Sequence, residues 1–481
     1  MEKPSLKKNF IYSVLFQIFS VAMPLVTAPY LARVLGPDGA GIQSFTASVQ
    51  SYFVLLATLG TNSYGVREIS RHRDSREEYS KLFWEIEGIT LFTTLLSTTA
   101  WAVMIAFGGE YRLFYIAMIP NLIAVIFDIS WFFNGLEDFR RTVVRNMLFK
   151  ALGIVLMFLL VKSKEDLWIY ILIRSLSVLA ANSSLWLALP RFLQRVKLRE
   201  LSLGAHLRQS LVYFIPTIAT SVYTMLDKTL IGVITSSKEQ NGYYEQAENV
   251  LEVAKRISFV AINSVLGVRM SYLFKERKED EIRHRIAESM NFIMFMAIGC
   301  ACGIVGIAIN FVPIFFGDGY APVIPLLYIL SPIIVVIGIS NCLGTQYYTP
   351  SGKRAESTKY LIMGAVVNLM LNLCLIPAWG AAGAALASLI AEFVIMSLYV
   401  HFSRGYMTVE KLVQISWKKL AAGMLMTIAV WFLGRLQLGY PIAVLAVQIG
   451  MGVLVYCLAL WALRDSWFCG QVKRANKFSR F

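Results

Sequence analysis

The chain has 481 residues, of which 57% are hydrophobic and 16% charged, with a mean hydropathy of +0.60. Soluble domains run nearer to about 45 to 50% apolar and about 25% charged, so this composition excludes an ordinary soluble globular protein and points to a membrane protein. A formal charge of +15 would suit a nucleic-acid binder only if the basic residues gathered on one soluble face, whereas here they sit in short loops between long apolar runs, which argues against nucleic acid as a partner.

"MEKPSLKKNF" runs straight into an apolar segment with no small-residue cleavage pattern, so the first helix is expected to stay in the mature protein. About 20 apolar residues cross the hydrocarbon. On that measure the chain is predicted to be an all-α polytopic membrane protein with fourteen transmembrane helices, at roughly 9–34, 39–64, 82–107, 112–133, 142–162, 167–189, 209–234, 249–273, 288–316, 322–347, 359–378, 380–402, 419–436 and 442–463.

Taken in order, the first helix carries Ser13, Gln17, Ser20 and Thr27 on one face, bends are expected at Pro24 and Pro29, and Arg33 lies at its end. The second repeats a polar stripe with Ser44, Ser51, Thr58 and Asn62. Glu85 and Glu87 begin the third, and Asp128 lies deep in the fourth. In the sixth, Arg174 aligns with Ser177 and Ser184. In the seventh, Thr217, Ser221, Thr224 and Lys228 fall at i, i+4, i+7 and i+11, and Pro216 invites a bend. The same helix holds "TMLDKTLIGV", where Asp227 and Lys228 are sequence neighbours. Helical neighbours point about 100° apart, so the two charges cannot simply cancel and each needs a partner or a role elsewhere. The eighth helix sets Glu248, Glu252 and Arg256 at successive i+4 steps, with Lys255 three residues from Glu252 and Asn263 one heptad beyond Arg256. Asn368 and Asn372 in the eleventh read as bonds to a neighbouring helix, and Glu392 lies in the inner half of the twelfth.

Ionisable groups in hydrocarbon usually line a water-filled path, and on that ground Arg174 and Lys228 read as cavity residues. Arg33, Lys255 and Arg256 read equally as side chains that snorkel to the headgroups. Asp227, Asp128, Glu252 and Glu392 are candidates for an ion pair or for carrying a coupling ion. "GAAGAALAS" follows no strand, so close helix packing explains it better than a phosphate loop. Five of the six cysteines fall in apolar runs, without redox or zinc spacing, and no catalytic or metal motif appears. Of the four histidines, His72, His206 and His284 fall in loops and His401 at a helix end.

The arginines and lysines fix the expected orientation. About 34 of the 45 basic residues fall in the N-terminus and the loops and tail on its side, against Arg112, Lys162, Lys164, Lys238 and Arg435 on the other, so both termini are expected to be cytoplasmic. The basic loop "PRFLQRVKLRELSLGAHLRQS" and a faint echo of "YGVREIS" in "LGVRMSY" divide the chain into six-helix halves, 1–200 and 201–403, followed by two further helices and a basic tail over 404–481.

"PLVTAPYLARVLGPDGAGIQSF", "LGTNSYGVREIS", "LDKTLIG", "NGYYEQAE" and "WGAAGAALASLIAE" together resemble the Wzx-type polysaccharide flippases of the multidrug/oligosaccharidyl-lipid/polysaccharide superfamily, over nearly the whole chain. The resemblance implies two six-helix bundles around a V-shaped central cavity, in the bacterial cytoplasmic membrane. It also implies alternating-access transport of an undecaprenyl-diphosphate-linked oligosaccharide to the outer leaflet for capsule or O-antigen synthesis. Arg33, Arg174, Lys228, Lys255 and Arg256 would then offset the diphosphate charge, with Asp227 holding a cation in the empty cavity. No enzymatic activity and no cofactor are expected, with H+ or Na+ coupling left open. Membrane lipid and other polysaccharide assembly proteins are the further partners considered. The rivals are a cation-coupled drug exporter of the same superfamily and a polysaccharide polymerase or ligase, the latter disfavoured by short outer loops.

Overall fold

Hydrocarbon offers no partner to backbone N–H and C=O groups, so long apolar runs must satisfy them internally as helices. The computed structural model describes the backbone of residues 6–197, 201–435 and 441–478, and among them all regular structure is helical. The expected polar positions Ser13, Gln17 and Thr224, the proline at 216, and the basic residues Lys3, Lys7, Lys8, Arg199, Lys477 and Arg480 lie outside the described side chains. Among the described residues eight helices are long and apolar enough to cross a membrane, and the described part of each of the fourteen expected segments falls on helix, whole or broken.

The chain divides into two compact units, Met1–Gly232 and Val233–Phe481. The first contains α1 (Leu6–Thr58), α2 (Thr61–Arg71), α3 (Arg76–Ala106), α4 (Arg112–Ala117), α5 (Ile119–Ile123), α6 (Ser130–Gly135), α7 (Phe139–Leu160), α8 (Leu167–Trp186) and all but the end of α9 (Leu203–Thr235). The helical backbone of α1 passes through Pro24 and Pro29 and breaks at Gly36, whose φ of 69° suits a residue without Cβ and which precedes Pro37. That break turns one continuous stretch into the first two expected spans. Two aromatic-rich clusters form the core, one around Trp101, Tyr115, Leu122 and Ile171 and the other around Tyr64, Phe83, Trp131 and Phe133.

The fourth expected span is not one helix but three pieces, α4, α5 and α6. Pro120 starts the second piece, and the carbonyls released by the breaks find side-chain donors. Gln50 Nε2 donates to Met118 O at 2.7 Å, Asn182 Nδ2 to Ala124 O at 2.9 Å and Trp186 Nε1 to Phe127 O at 3.1 Å.

The second unit contains α10 (Lys238–Lys255), α11 (Ala261–Lys275), α12 (Glu279–Phe316), α13 (Val323–Leu330), α14 (Ile333–Leu343), α15 (Arg354–Trp379), α16 (Ala381–His401), α17 (Val409–Gly434), α18 (Pro441–Ala462) and α19 (Ser466–Phe478). A π-helical turn, Arg256–Val260, joins α10 to α11, and a second, Gly344–Tyr348, extends α14. α15 and α16 pack through small residues: a Cβ on Gly364 would meet Ile395 at 2.3 Å, and one on Gly383 the Leu375 carbonyl oxygen at 2.3 Å, so "GAAGAALAS" does the packing its composition suggests. Outward stripes such as Leu148, Leu152, Val155 and Leu159 on α7, or Met363, Val366, Met370 and Leu373 on α15, expose bare hydrocarbon at helical spacing, as a lipid-facing surface requires.

Candidate functional site

Helix α9, which carries Asp227 and Lys228, is tied to the other helices of the first unit at both ends. Near its C-terminal end the chain packs so closely that a Cβ on Gly232 would meet the Phe45 ring at 2.2 Å. One turn earlier, Thr229 Oγ1 lies 3.0 Å from Ser48 Oγ and 3.1 Å from Tyr52 OH, forming a hydroxyl ladder between α1 and α9. Asp227 is buried beside this ladder, within electrostatic range of Tyr52, while Lys228 stays partly exposed. Both side chains, like Arg33, make polar interactions in the structure. Arg33 is exposed three residues before the Gly36 break, onto which the stem of Lys164 packs, its Cε 3.3 Å from where a Cβ would stand.

At the other end of α9, His206 bridges two buried groups. Its Nδ1 lies 2.6 Å from Tyr64 OH and its Nε2 3.0 Å from Glu85 Oε2, while Glu85 Oε1 accepts the Ser202 N–H at 2.8 Å. Arg67 of α2 bonds to Tyr213 of α9 in the same region. Sequence reading left His206 in a solvated loop, yet the first turn of α9 is folded onto α2 and α3 by this triad. The signal available was the buried-type glutamate at the start of an apolar helix, which needs a cationic or donor partner.

Arg174 stands apart from these groups, exposed on α8, with no hydrogen bond or ion pair among the described residues. Its stripe partner Ser177 packs against Gly153 of α7. Asp128 lies in the break between α5 and α6, where its Oδ1 accepts the Ser130 N–H at 3.1 Å and the residue lines a half-open pocket of about 210 Å³.

In the second unit, Glu252 holds both neighbouring cations, with Arg256 Nε at 3.2 Å and Lys255 Nζ at 4.0 Å. The three charges stand where α10 passes into its π turn. Further along, Asn263 Nδ2 donates to Asn341 Oδ1 at 2.6 Å and its Oδ1 accepts from Gln346 Nε2 at 2.8 Å, so one amide network joins α11 to α14 and the second π-helical turn. Asn368 donates to Ser388 of α16 at 3.2 Å and accepts from Asn372 at 3.0 Å, and Glu392 is buried in α16.

Apolar outward faces, a broken transmembrane helix capped by side chains, and ionisable groups on membrane helices define a multi-pass integral membrane protein of transporter architecture. The chain belongs to the family described as polysaccharide biosynthesis protein, whose model matches residues 6–274, and the model described as lipid II flippase MurJ matches residues 154–449. A protein of Escherichia coli (strain K12) named for O-antigen transport is 26% identical over 413 residues, covering 84% of this chain and 98% of its own. Among solved structures, lipid II flippase MurJ in an inward closed conformation superposes with a TM-score of 0.75 at 13% identity, covering 95% of this chain and 99% of that one. An inward-facing MATE family transporter of the MOP superfamily superposes with a TM-score of 0.62 at 13% identity, covering 84% and 96%. The resemblance to Wzx-type flippases drawn from the sequence is borne out, and the fold is that of MurJ and the MATE transporters.

Proposed function

We propose that the protein moves an undecaprenyl-diphosphate-linked oligosaccharide repeat unit from the inner to the outer leaflet of the bacterial cytoplasmic membrane, by alternating access, for the synthesis of a surface polysaccharide. The observation that carries this reading is the combination on α1 and α9: a partly exposed lysine, a buried aspartate beside it, and the Ser48, Tyr52 and Thr229 hydroxyls. Such a substrate asks for both chemistries at once. Its diphosphate needs cations inside the membrane, and its sugars need hydroxyl partners.

In this reading Lys228, Arg33 and Arg174 of the first unit, with Lys255 and Arg256 of the second, take turns in offsetting the diphosphate, while the polyprenyl chain stays in lipid. Asp227 balances a cation when no substrate is bound, and Glu252 does the same for Lys255 and Arg256, whose distances to it suit that exchange. The six-helix halves 1–200 and 201–403, the appended helices over 404–481, the cytoplasmic termini and docking of other assembly proteins on the basic loops belong to the same proposal. The E. coli relative named for O-antigen transport and the MurJ-like fold support it.

The test is the sidedness of lipid-linked oligosaccharide in cells depleted of the protein, read with a membrane-impermeant lectin or glycosidase and rescued with wild type or Lys228→Ala. Glycolipid trapped on the inner face, released by wild type and at least tenfold less by the variant, is the expected result. Normal arrival at the outer face with altered chain length would overturn transport in favour of polymerisation, and wild-type rescue by Lys228→Ala would remove that lysine from the site.

A further inference from the structure

The two helices near the end of the chain, α17 and α18, pack against each other, and α17 carries a tryptophan beside a cation at each end. Lys418 Nζ lies 5.4 Å from the Trp417 ring centre near its start, and Arg435 Cζ lies 3.7 Å from the Trp431 ring centre at its finish. At 1.5 Å per residue the two cations stand about 26 Å apart along the helix, against a hydrocarbon core about 30 Å thick. Each pair therefore lies at a headgroup level, where indole rings and long cationic side chains settle.

At the Lys418 level the ends of α17 and α18 are fastened in two layers. The inner layer is Lys419 with Asp465, both buried and 3.1 Å apart. The outer layer uses the residue before each of them, with Lys418 Nζ donating to Arg464 O at 3.0 Å. Arg464 has a left-handed backbone, with φ at 50°, in a turn closed by its own N–H on Trp461 O at 3.1 Å and by the Asp465 N–H on Leu460 O at 3.0 Å. Glycine is the usual residue at that position of a helix end. Here an arginine takes it and leaves its side chain exposed.

This outer layer offers donors alone. Lys418 keeps two protons beyond the one given to the carbonyl, and the Arg464 guanidinium has no ion pair or hydrogen bond among the described residues. Trp417 is 51% exposed and Trp461 65%, and neither indole N–H has an acceptor among the described residues. Other cations at this end do have acids, Lys419 in Asp465 and Arg474 in Glu288 at 3.5 Å. One turn toward the membrane middle from each tryptophan, Leu420 and Leu458 are exposed. A matching ligand carries negative charge and acceptor oxygens directly above hydrocarbon chains. A soluble anion brings the first without the second, and a zwitterionic lipid brings a cation that Lys418 and Arg464 repel.

We propose that the outer face where α17 meets α18 binds the headgroup of one anionic phospholipid. Lys418 and Arg464 hold its phosphate, the Trp417 and Trp461 indoles supply further donors, and its acyl chains run along Leu420 and Leu458. The site stands whether or not the transported molecule is a lipid-linked glycan, and it ties the level of these two helices to the anionic lipid of the bilayer.

The experiment is native mass spectrometry of the full-length protein in detergent, titrated with phosphatidylglycerol or phosphatidylcholine, and with undecaprenyl diphosphate as competitor. The expected result is one phosphatidylglycerol per chain bound at least tenfold more tightly than phosphatidylcholine. Arg464→Gly supplies the residue the backbone favours, so it keeps the turn while removing the charge. It and Lys418→Gln should each weaken binding about fivefold, and the double variant about 25-fold. Trp461→Phe, which removes one indole N–H, should weaken it at least twofold and reads the same site should Lys418→Gln fold poorly. Arg404→Gly is the same exchange at φ 52° in the turn after α16 and should leave binding unchanged. Equal affinity for the two phospholipids, an equal loss in Arg404→Gly, or wild-type affinity in Arg464→Gly, Lys418→Gln and Trp461→Phe alike would overturn the proposal. So would displacement of phosphatidylglycerol by an equal concentration of undecaprenyl diphosphate, which would give the site to a polyprenyl lipid instead.

Discussion

Replacing Asp465 should unfasten the C-terminal helices, and the structure gives the size of the effect. Lys419 is 1% exposed and Asp465 4%, on α17 and at the start of α19. The lysine Nζ meets Asp465 Oδ2 at 3.1 Å, Asn291 Oδ1 at 3.2 Å and Ile415 O at 2.8 Å, so its three donors are all used. Asp465 Oδ1 also accepts the Phe468 N–H at 2.9 Å and so caps α19. Breaking a buried ion pair from one side costs about 3 to 5 kcal/mol because it strands the other charge. Losing the cap adds about 1 kcal/mol. Asp465→Asn should therefore lose the first amount and Asp465→Ala both, whereas Lys419→Met combined with Asp465→Asn strands no charge and should recover most of the stability. Thermal unfolding followed with a thiol-reactive dye reads this well. The Cys302 sulfur lies 2.7 Å from where a Gly423 Cβ would stand, so parting α12 from α17 exposes it, and a Cys374→Ser background removes the thiol already exposed. If Asp465→Ala melts within a degree of wild type, or the double variant is as unstable as Asp465→Ala, the charge argument is wrong.

Three further outcomes follow from the same geometry. Gly232→Ala puts a methyl 2.2 Å from the Phe45 ring and should lower release of lipid-linked oligosaccharide severalfold at unchanged expression, with Phe45→Ala in the same chain restoring it. Glu85→Gln weakens the bond to His206 and should raise hydrogen exchange over residues 201–206 while leaving α7 unchanged. In the loop between α7 and α8, the Asp166 carboxyl accepts the Lys162 and Ser163 N–H groups, which hold it below the usual carboxylate range. A depressed carboxyl stabilises the turn above the unfolded value and loses that contribution as the pH falls through the folded one. Exchange over residues 162–166, corrected for intrinsic rates, should rise in that acidic window, and Asp166→Asn should flatten the dependence.

The helices were legible in the sequence because hydrocarbon leaves the backbone little choice, and Asp128 was legible because a carboxylate in an apolar run has to be explained. What surrounds Asp128 was not. "MIPNLIAVIFDISWFF" reads as one apolar span, and nothing local breaks it at the observed places except Pro120. The breaks hold because Gln50, Asn182 and Trp186, on helices far away in sequence, receive the freed carbonyls. Lys419 failed in the opposite direction. Beside Lys411 and Lys418 it reads as one more basic loop residue, whereas it is buried and fully bonded, and the cue was Asp465, an acid closing an apolar span just before a basic tail.

The polar groups of these membrane helices separate by how completely the protein itself satisfies them. Lys419 with Asp465 and Asn291, and Asn368 with Ser388, have found their partners on neighbouring helices and act as fasteners. Changing partner there would mean breaking good bonds in a medium that offers none in exchange. Groups that handle a ligand must instead be left incomplete, since the ligand supplies the missing half. Glu87, buried with neither oxygen hydrogen-bonded, is incomplete in that sense. The two π-helical turns extend the argument to the backbone. A wide turn costs regular hydrogen bonding, and here the second one is tied by Gln346 to Asn263 of α11. A network of three neutral amides, Asn263, Asn341 and Gln346, can be broken and remade more cheaply than a buried ion pair such as Lys419 with Asp465.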